Sequence, residues 1–171
     1  MKFVQMKRRI KCCVIILIIC FGQIVAQTNY SLRSSQQGYI IGGLGVASGA
    51  HLGLKINASN NSSLSLTYGV LPLQDFFGIK TSIITFGYNH YLYPERSSSP
   101  FANIGLGFFR AQSSTDNKRQ NAIIISPNFG FDYLFNKASV CVKLGLIAAF
   151  SKFNKPKSTV NFEFGFAQQL W

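Results

Sequence analysis

Acidic residues are scarce in this sequence. Its 171 residues hold 5 Asp+Glu against 17 Lys+Arg, a formal charge of +12, yet charged residues of both signs make up only 13%. A soluble domain usually carries about 25%, so a wet, charged exterior is poorly provided for. Proline is also scarce (5 residues) and hydrophobic residues reach 47%, which excludes a disordered chain. Of the 4 cysteines, Cys12, Cys13 and Cys20 lie near the start and Cys141 stands alone beyond them. Past residue 26, therefore, no intramolecular disulfide is available, and Cys141 with His51 and His90 makes no Cys/His metal cluster. After residue 26 no apolar run approaches the ~18 residues of a membrane-spanning helix.

The first 26 residues read as a cleavable signal peptide. Lys2, Lys7, Arg8, Arg9 and Lys11 form a basic start, Cys12 to Cys20 is almost wholly apolar, and Ala26 supplies a small residue for cleavage. A retained anchor and a lipoprotein processed at Cys20 are the alternatives; Ile19, which is not small, argues against the second. Cleavage would remove five basic residues and lower the charge from +12 to +7. Residues 27–37 are then a short N-terminal periplasmic segment and 38–171 a single domain.

That domain alternates apolar and polar residues with period two, segment after segment, the pattern of half-buried strands. Representative apolar stripes are Leu52-Leu54-Ile56, Leu64-Leu66-Tyr68-Val70, Ala102-Ile104-Leu106-Phe108 and Val160-Phe162-Phe164-Phe166. Turn-rich joints at 47–50, 57–62, 70–79, 94–100, 112–121, 136–139 and 151–158 separate eight strands of roughly ten residues. Short joints make successive strands antiparallel neighbours, and eight such strands can close into an up-and-down barrel.

Alternation alone does not say which face points outward. The polar stripe decides: ten of the 15 glycines lie on it, including Gly43, Gly53, Gly105, Gly107, Gly130, Gly145 and Gly165. Glycine on a solvated face weakens a strand without gain, whereas a tight barrel interior needs small residues. The expected fold is an all-β, eight-stranded antiparallel transmembrane barrel with an apolar exterior and a small-polar interior. Aromatic residues at the strand ends fit two girdles. Tyr39, Tyr91, Tyr93, Phe101, Tyr133, Phe135 and Trp171 fall at the periplasmic end, and Tyr68, Phe76, Phe77, Phe108, Phe109, Phe150 and Phe153 at the outer end.

With these features on the page, the chain resembles the small outer-membrane β-barrels of Gram-negative bacteria. The resemblance is architectural and is strongest at Phe101-Ala102-Asn103-Ile104-Gly105-Leu106-Gly107-Phe108 and at Val160-Asn161-Phe162-Glu163-Phe164-Gly165-Phe166. It implies an outer-membrane location, contact with membrane lipid and lipopolysaccharide, and insertion by the barrel assembly machinery. One departure is that Val160, Phe162, Phe164 and Phe166 are out of phase with the terminal Trp171, so either a bulge resets the phase or Leu170 takes the terminal role.

Inward-facing ionisable residues are few: Lys55, Asp132, Lys143 and Glu163, with His51 near the rim. Buried charges need partners. A Lys143–Glu163 contact is expected across adjacent strands, with Asp132 one strand further on. The simplest role is a polar plug; a gate or proton-sensitive pore is the alternative. No Ser/His/Asp set is arranged for catalysis, and no enzyme activity or cofactor is expected. The outer joints are basic: Lys80, Arg110, Lys118, Arg119, Lys152, Lys155 and Lys157 face only Asp75 and Asp116. Phosphate-bearing partners are favoured there, with lipopolysaccharide the plain reading and adhesion to a polyanionic surface the sharper one. Nucleic acid is not expected, because no basic groove with stacking groups is present. Gly43-Leu44-Gly45 lacks the helix and third glycine of a dinucleotide fingerprint, and Asn57-Ala58-Ser59 carries no information here.

Two functional alternatives to a non-catalytic structural or surface-interaction barrel stay open. One is transport of small apolar molecules through the barrel or its side, drawing on Phe109, Ile147 and the strand proline Pro127. The other is a soluble secreted ligand-binding barrel with the faces reversed.

Overall fold

Eight strands follow one another with no helix between them in the computed structural model, which describes residues 33, 36–71, 79–113, 119–151 and 156–171. They are β1 (Gly38–Gly45), β2 (Gly49–Ser59), β3 (Ser62–Val70), β4 (Ile79–Tyr91), β5 (Ser98–Ser113), β6 (Arg119–Phe135), β7 (Ala138–Ser151) and β8 (Lys157–Gln169). Each pairs antiparallel with its neighbours in sequence, and β8 pairs back onto β1, closing the barrel. The signal-peptide segment, 1–26, lies outside the described residues.

The strand registers define the barrel's stagger. A line of opposed residues runs from Ala167 to Ile41, Gly53, Thr67, Thr85, Gly107, Ile124, Ala149 and back to β8 at Lys157. One circuit therefore climbs from 167 to 157, ten residues along β8. With a rise of ~3.3 Å per residue and a strand spacing of ~4.8 Å, this stagger tilts the strands by about 40° and sets a backbone radius of about 8 Å. That bore is narrow enough for side chains to fill.

The period-two stripes sort onto the two faces as expected. Leu44, Leu52, Leu66, Phe86, Phe108, Phe131, Leu144, Leu146 and Phe162 are all exposed, with Leu44 at 63% and Leu146 at 59%. The glycines of the opposite parity line the inside. A continuous apolar face of this extent is far beyond the few hundred Å² that a soluble monomer exposes.

One feature departs from the sequence reading. β5 and β6 are 16 and 17 residues long, because pairing continues through Gln112 and Arg119-Gln120-Asn121, which fall within the expected joint 112–121. Ladder hydrogen bonds need no apolar side chains, so the hairpin extends past the apolar band. The β6–β7 ladder is interrupted between the Ile125–Ala148 and Asn128–Gly145 pairs, at Pro127, which has no N–H to donate.

Candidate functional site

The barrel interior is filled by an apolar cluster, a belt of amides and a set of charged side chains. Towards the outer end, Ala47, Ile124 and Ile147 form a buried apolar cluster against which Phe109 and Ala149 pack. From it a belt of asparagines winds down the wall along a tilted line of opposed residues. Asn103 Nδ2 donates to Asn89 Oδ1 at 2.8 Å, Asn128 Nδ2 to Asn103 Oδ1 at 2.8 Å, and Asn161 Nδ2 to Asn128 Oδ1 at 2.7 Å. Asn89 Nδ2 extends the belt to Ser63 Oγ at 3.0 Å, and the Ala47 N–H closes its other end on Asn161 Oδ1 at 3.1 Å. Each amide donates to the next and accepts from the one before, so these buried groups satisfy one another. The register explains the alignment: Ser63 faces Asn89, Asn89 faces Asn103, Asn103 faces Asn128, and Gly145 stands between Asn128 and Asn161.

Beside the belt lies an ionic cluster. Lys143 Nζ and Glu163 Oε1 form an ion pair across the directly opposed β7–β8 positions. Glu163 also accepts from Ser48 Oγ at 3.1 Å and has His51 Nε2 at 3.6 Å. This is the contact expected from the sequence, with His51 joined to it.

Asp132 does not join Lys143. Its partner is Arg33, whose Nη2 lies 3.2 Å from Asp132 Oδ2 and 3.1 Å from the Asp132 carbonyl. Arg33 Nη1 donates to the Arg96 carbonyl at 2.6 Å, and the guanidinium lies 4.7 Å from the centre of the Tyr91 ring. Arg33 belongs to the segment read as a simple periplasmic leader, and its only sequence signal is a lone cation just ahead of the first strand. Asp132 Oδ1 is buried and has no hydrogen-bond partner among the described residues. Lys55 Nζ reaches the Tyr91 hydroxyl at 3.5 Å and sits 4.6 Å from the Tyr39 ring centre. The four plug residues are thus all inside, but in two groups. A cavity of about 40 Å³, touched by Lys55, Asp132, Lys143 and Glu163, lies between them; its polar lining and volume suit water.

Tyr39, Tyr91 and Phe101 correct the girdle reading. They are 2%, 4% and 2% exposed and point into the barrel, where Tyr91 and Phe101 stack with ring centres 5.6 Å apart. The reason is parity: each sits one residue off the outward-facing stripe of its own strand. The rest of the periplasmic set does face outward, with Tyr93, Tyr133 and Trp171 exposed and Phe135 half-exposed. Trp171 Nε1 donates to the Gln36 carbonyl at 3.0 Å, while exposed Leu170 continues the outward phase of β8. At the outer end Tyr68, Phe108 and Phe150 are exposed and share one line of opposed residues with Ile84 and Ile123, whereas Phe109 turns inward onto the apolar cluster. Phe76, Phe77 and Phe153 lie outside the described residues.

Of the basic rim, Lys80, Arg110, Arg119 and Lys157 are exposed at the outer strand ends. Lys118, Lys152, Lys155, Asp75 and Asp116 lie outside the described residues. Among the described residues, no group of three or more His, Cys, Asp or Glu could hold a metal ion.

The fold defines the class: a closed eight-stranded antiparallel β-barrel of the outer-membrane type. Among solved structures the chain is similar to the N-terminal β-barrel domain of Pseudomonas aeruginosa OprF, with 17% sequence identity over 77% of this chain and 95% of that one and a TM-score of 0.51. At that identity the likeness is one of fold. No protein-family model matches the sequence, and no curated protein sequence matches it.

Proposed function

We propose that this chain is an integral outer-membrane barrel, exported by its N-terminal segment, with a structural or surface-interaction role and no catalytic one. The observation that carries the reading is the inversion of its two faces. Large apolar side chains cover the outside while Asn, Ser, Lys, Glu and Asp fill the inside. Only a lipid surround makes that arrangement favourable, and closure leaves no strand edge unpaired within it. A soluble ligand-binding barrel would present the reverse. The apolar cluster and the Arg33–Asp132 mouth stand at opposite ends of the bore, with the asparagine belt climbing the wall between them, which supports a barrel closed to ions. The cationic outer rim supports phosphate-bearing partners at the cell surface.

The test is fractionation of the tagged protein. Resistance to carbonate extraction and a gel mobility that shifts on boiling are expected; release by carbonate with no shift refutes the proposal. Reconstituted in planar bilayers, the protein is expected to give no steady conductance. One observation favours a second reading, lateral passage of small apolar molecules: the β6–β7 ladder opens at Pro127, and Ile147, which stands opposite that break, belongs to the apolar cluster inside. Uptake of such molecules by a deletion strain, equal to that of its parent, would remove it.

A further inference from the structure

The outer end of the barrel is asymmetric. Across β4, β5 and β6 three successive outward rows are in register: Ile84–Phe108–Ile123, then Ser82–Arg110–Asn121, then Lys80–Gln112–Arg119. The first is wholly apolar, with exposures of 49, 56 and 45%. The second is polar with one cation, and the third carries two. Rows are two residues apart, about 7 Å along a strand, so the surface passes from hydrocarbon-like to cationic within about 14 Å. Lys80, Arg110 and Arg119 are all exposed, and among the described residues no carboxylate pairs with any of them. They stand on the same outward face across β4, β5 and β6.

We infer that this arc is a binding site for the phosphorylated head of an outer-leaflet glycolipid, lipopolysaccharide. The inference rests on the outer-membrane reading. Its ligand must bring hydrocarbon and phosphate on one molecule, spaced as these rows are spaced. Acyl chains lie against Ile84, Phe108 and Ile123. The phosphates meet the guanidinium forks of Arg110 and Arg119, which match phosphate geometry, and the Lys80 ammonium. Ser82 and Asn121, between the rows, offer hydrogen bonds to the sugars. A polysaccharide or nucleic acid would satisfy the cations but leave the apolar row without an occupant. The site lies on one arc of the barrel, across β4, β5 and β6.

The test compares the full-length protein with the triple variant Lys80→Gln/Arg110→Gln/Arg119→Gln, and with Lys137→Gln at the periplasmic end as a charge control. Each is purified in detergent and titrated with defined lipopolysaccharide and with its enzymatically dephosphorylated form, binding being read by native mass spectrometry. Neutralising the arc is expected to weaken binding about fivefold per charge, and about a hundredfold in all. The dephosphorylated lipid should bind the unaltered protein as weakly as the intact lipid binds the triple variant, with Lys137→Gln unchanged. Equal affinity of the triple variant, or of the dephosphorylated lipid, overturns the site. So does inorganic phosphate that competes as well as the lipid, since the apolar row would then contribute nothing. The boiling-dependent gel shift is recorded for every protein. Its loss in the unaltered protein sinks the outer-membrane reading itself, whereas its retention alongside unchanged lipid binding sinks only the site.

Discussion

Asn161 on β8 hydrogen-bonds to Asn128 on β6 across an entire intervening strand, at 2.7 Å. It can do so because the residue between them on β7 is Gly145. A Cβ there would lie 2.5 Å from Asn128 Oδ1 and would collide with the Pro127 carbonyl oxygen. The belt of amides is thus continuous where a side chain is missing.

Gly145→Ala is therefore expected to destabilise the barrel by about 1–3 kcal/mol, from overpacking and a broken buried hydrogen bond together. The temperature at which the folded gel form disappears measures it. In a double-mutant cycle, Asn128→Ala should cost less in the Gly145→Ala background than alone. Fully additive losses would mean that the two residues do not act through one contact.

Glu163 is held by Lys143, Ser48 and His51. Glu163→Leu alone leaves the Lys143 ammonium buried without its carboxylate and is expected to cost about 3–5 kcal/mol. Replacing both partners, Lys143→Met with Glu163→Leu, should recover most of that loss. Urea unfolding in detergent, followed by Trp171 fluorescence, compares them. A double variant as unstable as the single one would show that the pair's value lies elsewhere in the network.

Arg33 closes the mouth at the start of β1 through Asp132, the Arg96 carbonyl and the Tyr91 ring. Arg33→Ala should open that mouth without making a channel, because the Ala47–Ile124–Ile147 cluster still closes the other end of the bore. Bilayer recordings of the variant are expected to stay at baseline. Steady channel openings on loss of Arg33 alone would show that the arginine, and not the apolar cluster at the far end, is the seal.

Leu66 is 52% exposed near the middle of the apolar band. If lipid covers it, Leu66→Arg costs about 2–4 kcal/mol, visible as a lower folded fraction in vesicles. On a water-facing surface the same change would be close to neutral or would improve solubility, so one substitution separates the two readings of the faces.

The strands, their order and the sense of the two faces were legible in the sequence. The reason is local: alternation has period two, and residues of one parity share a face whatever the rest of the chain does. The paucity of charge and the glycines on the polar stripe then decided which face turns outward. The same parity places Tyr39, Tyr91 and Phe101 inside, and reading them as girdle residues from their position near strand ends overlooked it. Lys143 facing Glu163 followed from strand adjacency alone.

Other features depended on closure. The asparagines at 89, 103, 128 and 161 stand on four strands, and only the registers, summing to a stagger of ten residues around the barrel, bring them to one belt. Asp132 took Arg33 rather than a neighbouring lysine because the chain ahead of β1 returns to the mouth, a contact separated by 99 residues. The basic arc emerged likewise, from Lys80, Arg110 and Arg119 on three strands. Period and composition are properties of short stretches and determine which face each side chain takes. Which side chains meet on that face is set by register and closure, through pairings that no single stretch contains.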